Sequence, residues 1–200
     1  QTKKKEQQEA LRLLGSKLNL LKESGFIASG KITEKGRFAK AVYGYELLLA
    51  GLYERNIFEQ LDEAGLAIIA TAAVFEPRKN QVILNITKNA RALRYLCEEI
   101  HEGIKDQEHR KRIYPFSKAP YFHLAMAMEY WLQGTEFSKI LRFTDTDEGE
   151  VVRYFRMAVQ ILREIRENPV SSPTLKQRIT ETIRVINRDV VDAEKQLRTP

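Results

Sequence analysis

The chain has 200 residues, a formal net charge of +6, 43% hydrophobic and 30% charged residues, and a pI near 9.3. That length buries a sizeable core without cross-links, and the single cysteine, Cys97, excludes a disulfide framework and points to a reducing, cytoplasmic setting. The opening QTKKKEQQEA has no apolar signal core, and the longest apolar run, 66–75, is about half of what spans a bilayer, so a membrane partner is not expected. The charge leans mildly towards polyanions without requiring one. The first residue is Gln1 rather than Met, as expected of a fragment of a longer protein.

The elements read almost entirely as helix. Leucines 11, 14, 18 and 21 make one face of a helix that stops at Gly25, with a basic extension over 1–16 ahead of a single domain over 17–197. FIASGKITEKGRF follows, a β-branched and aromatic run turning at Gly30, which predicts a small hairpin of winged-helix type. From Ala39 the pattern is helical again, through AVYGYELLLAGLYERNIF and then DEAGLAIIATAAVF, where Asp62 is a natural N-cap and Pro77 a stop. A long amphipathic stretch over 80–112 comes next, closed by YPFSKAP. Then PYFHLAMAMEYWLQG predicts a helix ending at Gly134, and TEFSKILRF a short one. The helix in TDTDEGEVVRYFRMAVQILREI ends at Asn168-Pro169. The last, over 174–197, puts Leu175, Ile179, Ile183, Ile186 and Val190 on one face. The expected fold is an all-α helical bundle with a helix–turn–helix-like segment and one hairpin near its front.

Catalytic patterns are missing from this sequence. His101, His109 and His123 have no metal-ligand spacing with Cys97 or with one another, and each reads as a surface or locally satisfied histidine. Asn85-Ile-Thr87 matches a glycosylation acceptor but falls inside the helical reading of 80–112. LDEAG at 61–65 imitates a helicase box, yet its acids open a helix, where capping and the helix dipole account for them. SGKIT at 29–33 lacks the glycine spacing of a phosphate loop.

The segment 135–165 is different. TEFSKILRF, the polar turn TDTDEG and a longer helix give a helix–turn–helix pattern. The acids at 145, 147, 148 and 150 suit the start of that helix, and Asp145 with Glu148, or Thr144 with Asp147, fits a capping box. Acids there oppose reading of duplex DNA by the N-terminal end of the helix. Further along, at ~100° per residue, Arg153, Arg156, Gln160 and Arg163 share one arc, with Met157 and Glu164 beside it. An arginine seam of this kind suits a single strand threading past, with guanidinium planes stacking on bases or bonding phosphates. By pattern alone it fits equally a solvated face paired with acids.

The quoted segment GTEFSKILRFTDTDEGEVVRYFRMAVQIL resembles the C-terminal helical (DSHCT) domain of superkiller-type, exosome-associated DExH-box RNA helicases. Trp131, Gly134, Phe137, Thr144, Asp145, Glu148, Gly149, Arg153 and Arg156 carry the likeness. GKITEKGRFAKAV, the run YELLLAGLYERNIFEQLDEAGLAIIATAAVFE with Glu46, Leu61, Phe75 and Glu76, and the closing IRVINRDVVDA with Arg188 and Asp189 extend it over roughly 17–193. The resemblance implies a bundle that packs on two absent ATPase lobes, to which ATP and Mg²⁺ belong, with no cofactor and no catalytic residue in this chain. It implies that helix 148–167 is the ratchet helix along the path of single-stranded RNA, or of DNA, which stacking does not distinguish. Arg153, Arg156, Met157, Gln160 and Arg163 would border that path, with Glu76 and Arg78 approaching it. The sequence departs from the family where Met157 replaces a second basic residue and Pro77 a second acid. A scaffold whose arginine seam docks on the helicase core or an RNA-decay partner is the alternative.

Overall fold

The computed structural model describes residues 2–192. In chain order these form α1 (Thr2–Glu23), a hairpin of β1 (Ile27–Ala28) and β2 (Lys31–Ile32), α2 (Glu34–Ala41), α3 (Glu46–Glu54), α4 (Ile57–Gln60) and α5 (Glu63–Val74). Then come α6 (Lys88–Arg110), α7 (Ala125–Leu132), α8 (Phe137–Ile140), α9 (Glu148–Glu167) and α10 (Pro173–Ile186), with 3₁₀ turns at Leu141–Phe143 and Asp189–Val191. The all-α reading holds. The two strands pair antiparallel, Ile27 opposite Ile32, around the turn at Gly30.

Helix α5 is the axis of the bundle. Asp62 Oδ1 accepts the Gly65 N–H at 2.8 Å and starts it, as the sequence predicts. No charged residue follows Glu63, and every residue from Gly65 to Val74 is buried. Alanines 67, 70, 72 and 73 keep its surface low, so α9, α10, α7 and α6 all approach it. Each of those helices turns an apolar stripe inward: from α9 come Val151, Tyr154, Phe155, Ala158, Val159, Ile161, Leu162 and Ile165, and from α10 Leu175, Ile179, Ile183 and Ile186. Trp131 of α7 is fully buried, edge-on to Phe137 with ring centroids 5.8 Å apart.

The C-terminal turn clasps this core. Arg188 donates from Nη2 to the carbonyls of Trp131 and Thr135 at 2.7 and 2.8 Å, and its guanidinium carbon lies 3.4 Å from the centroid of the Trp131 ring. Trp131 returns the contact, its indole N–H reaching the Ile186 carbonyl at 2.9 Å. Gly134, at φ +88°, ends α7 and opens the Thr135 carbonyl to that arginine.

Several boundaries differ from the sequence reading. The helix expected from Ala39 is interrupted: α2 begins earlier, with Thr33 capping Gly36 N–H, and Val42–Tyr45 leave the helix around Gly44 at φ +89°. The stretch 80–112 is not one helix. Residues 82–86 carry no regular structure, and α6 starts where Thr87 Oγ1 accepts the Ala90 N–H at 3.1 Å, so Asn85-Ile-Thr87 precedes the helix. Val82 and Leu84 are 58% and 45% exposed, so this part of the apolar pattern belongs to a surface segment and not to a helix face. The helix expected from Pro120 begins only at Ala125. Neither capping box forms: Asp147 is the N-cap of α9 without a side-chain bond, and the Thr144 hydroxyl instead accepts the Thr146 N–H at 3.1 Å. The last helix stops at Ile186, which leaves Val190 in the terminal 3₁₀ turn. The expectation for 193–197 lies outside the described residues.

Ile69→Ala removes a side chain only 1% exposed from the middle of α5. Truncation at such a site costs roughly 2–5 kcal/mol. At ~2–4 °C per kcal/mol for a domain of this size, thermal melting falls by ~4–20 °C, measured by circular dichroism.

Candidate nucleic-acid interface

With its apolar stripe buried, α9 presents the opposite arc outward. Arg153, Gln160 and Arg163 are exposed, and Arg156, Met157 and Glu164 are half-buried at its edges. Arg153 is held flat. Its Nε and Nη2 meet the two oxygens of Glu150 at 2.9 and 2.8 Å, its Nη1 lies 3.8 Å from the Met157 sulfur, and its guanidinium carbon is 4.3 Å from the Tyr154 ring centroid. The Glu150 fork raises the Arg153 pKa further and holds the Glu150 carboxyl below its usual range. Gln160 donates to Glu164 at 3.2 Å. Arg163 makes no hydrogen bond or ion pair among the described residues.

Arg156 has a structural task. Its Nε donates to the Val191 carbonyl at 2.9 Å and its Nη2 to the Val190 carbonyl at 2.8 Å, which ties the middle of α9 to the terminal 3₁₀ turn. Arg78 is similarly engaged, its Nη1 with Asp147 Oδ2 and its Nη2 with the Asp145 carbonyl, both at 2.7 Å. Gln81 adds bonds to Asp145 Oδ1 at 2.8 Å and to Thr146 Oγ1 at 2.9 Å. The acids ahead of α9 therefore hold the loop after α5 as well as suiting the helix start. That loop in turn reaches the seam: the Tyr154 hydroxyl donates to the Glu76 carbonyl at 3.1 Å and accepts the Glu76 N–H at 3.3 Å. Beneath it, Phe75 stacks on His123 with centroids 5.1 Å apart, and burial pushes the His123 pKa down.

Three residues join this surface that periodicity did not single out. The Glu76 carboxylate pairs with Lys118, whose Nζ lies 5.8 Å from the centroid of the Tyr45 ring. Burial raises the Tyr45 pKa, offset in part by Lys118, and the contacts of Lys118 with Glu76 and Tyr45, of Tyr154 with Glu76 and of Arg153 with Tyr154 link these five groups. The backbone N–H of Tyr43 donates to Glu164 Oε2 at 3.1 Å. The sequence carried one signal for this loop, a glycine flanked by two tyrosines in Tyr43-Gly44-Tyr45, which marks a turn inside an otherwise helical run. Nothing in the sequence placed Lys118 here.

His101 lines one pocket with Gly44, Tyr45 and Lys118 at the edge of this face, whereas Cys97 lies in the core. His101 Nε2 is 3.0 Å from the Ser117 carbonyl, and Cys97 is buried with its thiol pushed up to about 12. The basic end of α6 is engaged locally, Lys111 with Glu23 and Arg110 with the Asp106 carbonyl. Among the described residues no group of three or more His, Cys, Asp or Glu side chains is placed to hold a metal ion, and no helix is long and apolar enough to cross a membrane.

A bundle of amphipathic helices around one apolar helix, with an arginine-bearing helix facing out beside a docked loop, defines an all-α module with one polar helical face. Residues 29–194 match the family described as the DSHCT (NUC185) domain, and the chain belongs to that family. It is 25% identical over 193 residues to the ATP-dependent RNA helicase mtr4 of Schizosaccharomyces pombe, which covers 89% of this chain and 17% of that protein. Similarity to the exosome RNA helicase MTR4 of Homo sapiens is 26% over 183 residues, covering 87% of this chain and 17% of the relative. For the human superkiller complex protein 2 it is 23% over 183 residues, with 88% and 15% covered. The chain thus spans less than a fifth of the length of these relatives.

Arg156→Met keeps the stem of the side chain but strips two charge-assisted bonds from the Val190 and Val191 carbonyls. At roughly 1–3 kcal/mol for buried groups left unpaired, melting falls and amide exchange quickens over 188–192. Unchanged melting and protection would mean that the guanidinium holds nothing there.

Proposed function

We propose that this chain is the strand-guiding C-terminal module of an ATP-driven, Ski2-type RNA helicase. The observation that carries this reading is the exposed arc of α9, where Arg153 is fixed flat between Glu150, Tyr154 and Met157. A guanidinium held in one orientation loses little entropy when a base stacks on it or a phosphate meets its edge. Arg153, Met157, Gln160 and Arg163 border the strand. Arg156, Glu76 and Arg78 shape the border, through the terminal turn, Tyr154 and the acidic turn before α9. In this reading the chain hydrolyses nothing itself. ATP and Mg²⁺ belong to ATPase lobes elsewhere in the parent protein, which step the strand while this module holds it. The printed names of its relatives, RNA helicases, favour RNA over DNA as the strand. A cytoplasmic setting rests on the single cysteine alone.

A second reading, a scaffold docking on the helicase core, draws on α1. Its Leu11, Leu14 and Leu18 are 62%, 64% and 41% exposed on one face. The two readings are compatible, since strand and protein would use different surfaces.

Fluorescence anisotropy with a labelled single-stranded RNA of about 15–20 nucleotides, long enough for simple single-strand sites, tests the first. Wild-type binding weakens with salt, with a log–log slope of about −0.7 per neutralised phosphate. Arg153→Glu with Arg163→Glu weakens it at least about tenfold, a loss of ~1.4 kcal/mol, with melting unchanged. Undiminished binding in that variant, or salt-insensitive binding to the ATPase lobes with no affinity for RNA, overturns the strand-guiding reading.

A further inference from the structure

The Val42–Tyr45 loop lies against the exposed face of α9, and its chemistry differs from that of the helix. Glu164 uses one carboxylate oxygen to accept from Gln160 and the other to hold the Tyr43 N–H at 3.1 Å, so the loop is pinned to α9 itself. On its far side the Gly44 N–H donates to Glu46 Oε1 at 2.9 Å. The backbone on both sides of the turn is therefore fixed. The Tyr43 side chain is not covered: it is 85% exposed, more than any other large hydrophobic side chain among the described residues. Beside it Gly44, at φ +89°, has nothing within 4 Å of where a Cβ would stand, its chain neighbours aside, so the tip of the turn is open.

The charge on this face bears on what such a ring could meet. Arg153, Arg156, Arg163 and Lys118 are interleaved with Glu76, Glu150 and Glu164, so acids nearly balance the bases. A phosphate-tracking groove would carry a clear excess of positive charge. A balanced face with fixed planar groups instead favours bases, whose π-faces are attracted without net charge. Arg153 offers one such plane near the start of the arc. Glu164 sits eleven residues further along, roughly 16 Å down the helix axis at 1.5 Å per residue, and there the pinned tyrosine offers a second.

We propose that Tyr43 is a base-stacking platform at the far end of the α9 face, so that a single-stranded nucleic acid lying along α9 is held by stacking at both ends, on Arg153 and on the Tyr43 ring. The loop between α2 and α3 is then the second wall of the strand path, fixed in place by Glu164. This inference rests on the exposed arc of α9 being that path. Recognition of this kind is tolerant of sequence, because every base has a π-face, and its salt dependence is shallow because few phosphates are neutralised.

The test uses the full 200-residue chain and two probes: a labelled mixed-sequence single-stranded RNA, and an oligomer with the same number of phosphates but no bases. Stacking on an aromatic side chain contributes ~1–3 kcal/mol per base. Tyr43→Ala is therefore expected to weaken RNA binding at least about fivefold, while Tyr43→Phe, which keeps the ring, stays within about twofold of wild type. The base-free oligomer binds wild type and Tyr43→Ala alike. Unchanged RNA affinity in Tyr43→Ala, or equal losses for both probes, overturns the stacking role. Loss of RNA binding in Arg153→Glu alongside either result leaves the strand path standing and removes only the platform. Wild-type protein that binds no RNA removes both.

Discussion

The arrangement depends on helix α5 having no polar side. From Gly65 to Val74 every residue is buried, so every neighbour must offer it an apolar face and turn its charges away. Fully burying a Leu or Ile side chain contributes about 1.5–3 kcal/mol, and α5 places Leu66, Ile68, Ile69, Val74 and the adjoining Phe75 at 1% exposure or less. No rotation of α9 that brought Arg153 or Arg163 towards this helix would survive the cost of an unpaired buried charge. The outward polar arc of α9 is thus a consequence of packing, and any function of that arc uses a surface the core has already oriented.

The same residue type performs two different tasks, and partners tell them apart. Arg188 and Arg156 spend their guanidinium groups on backbone carbonyls, of Trp131 and Thr135 in one case and of Val190 and Val191 in the other. Together they close the C-terminal turn over α7 and α9. Burial lowers the Arg188 pKa, the expected direction for a cation taken out of water. Arg153 instead meets a carboxylate and a ring at the surface, where its outer face stays in solvent. Adjacent turns of one helix therefore carry an arginine that holds the fold and one that is presented.

Much of this was legible in the sequence, for identifiable reasons. Asp62 as the N-cap of α5, the apolar face of α10 through Leu175, Ile179, Ile183 and Ile186, and the hairpin at Gly30 depend on local spacing, and local spacing is what a sequence displays. The segment 80–87 misled because its apolar residues, Val82, Ile83, Leu84 and Ile86, run straight into the amphipathic pattern that begins after Thr87, although Val82 and Leu84 stay exposed in a stretch with no regular structure. The capping boxes failed because the acids before α9 were drawn to Arg78 and Gln81, residues more than sixty positions earlier. Periodicity also picked out which residues share the α9 arc. It had no means of separating Arg156 from Arg153, since the difference lies in a turn some 34 residues downstream. Lys118 and Tyr43 reach the face only through tertiary packing.

Crosslinking gives the most direct access to the central claim, that the outward face of α9 is where a single strand lies. A 4-thiouridine-substituted single-stranded RNA would be irradiated with the full chain and the modified peptides identified by mass spectrometry. Adducts within residues 153–164 of α9 and at 43–45 of the neighbouring loop are the expected result. Adducts concentrated at His109–Arg112, the basic end of α6, with none on α9, would contradict it.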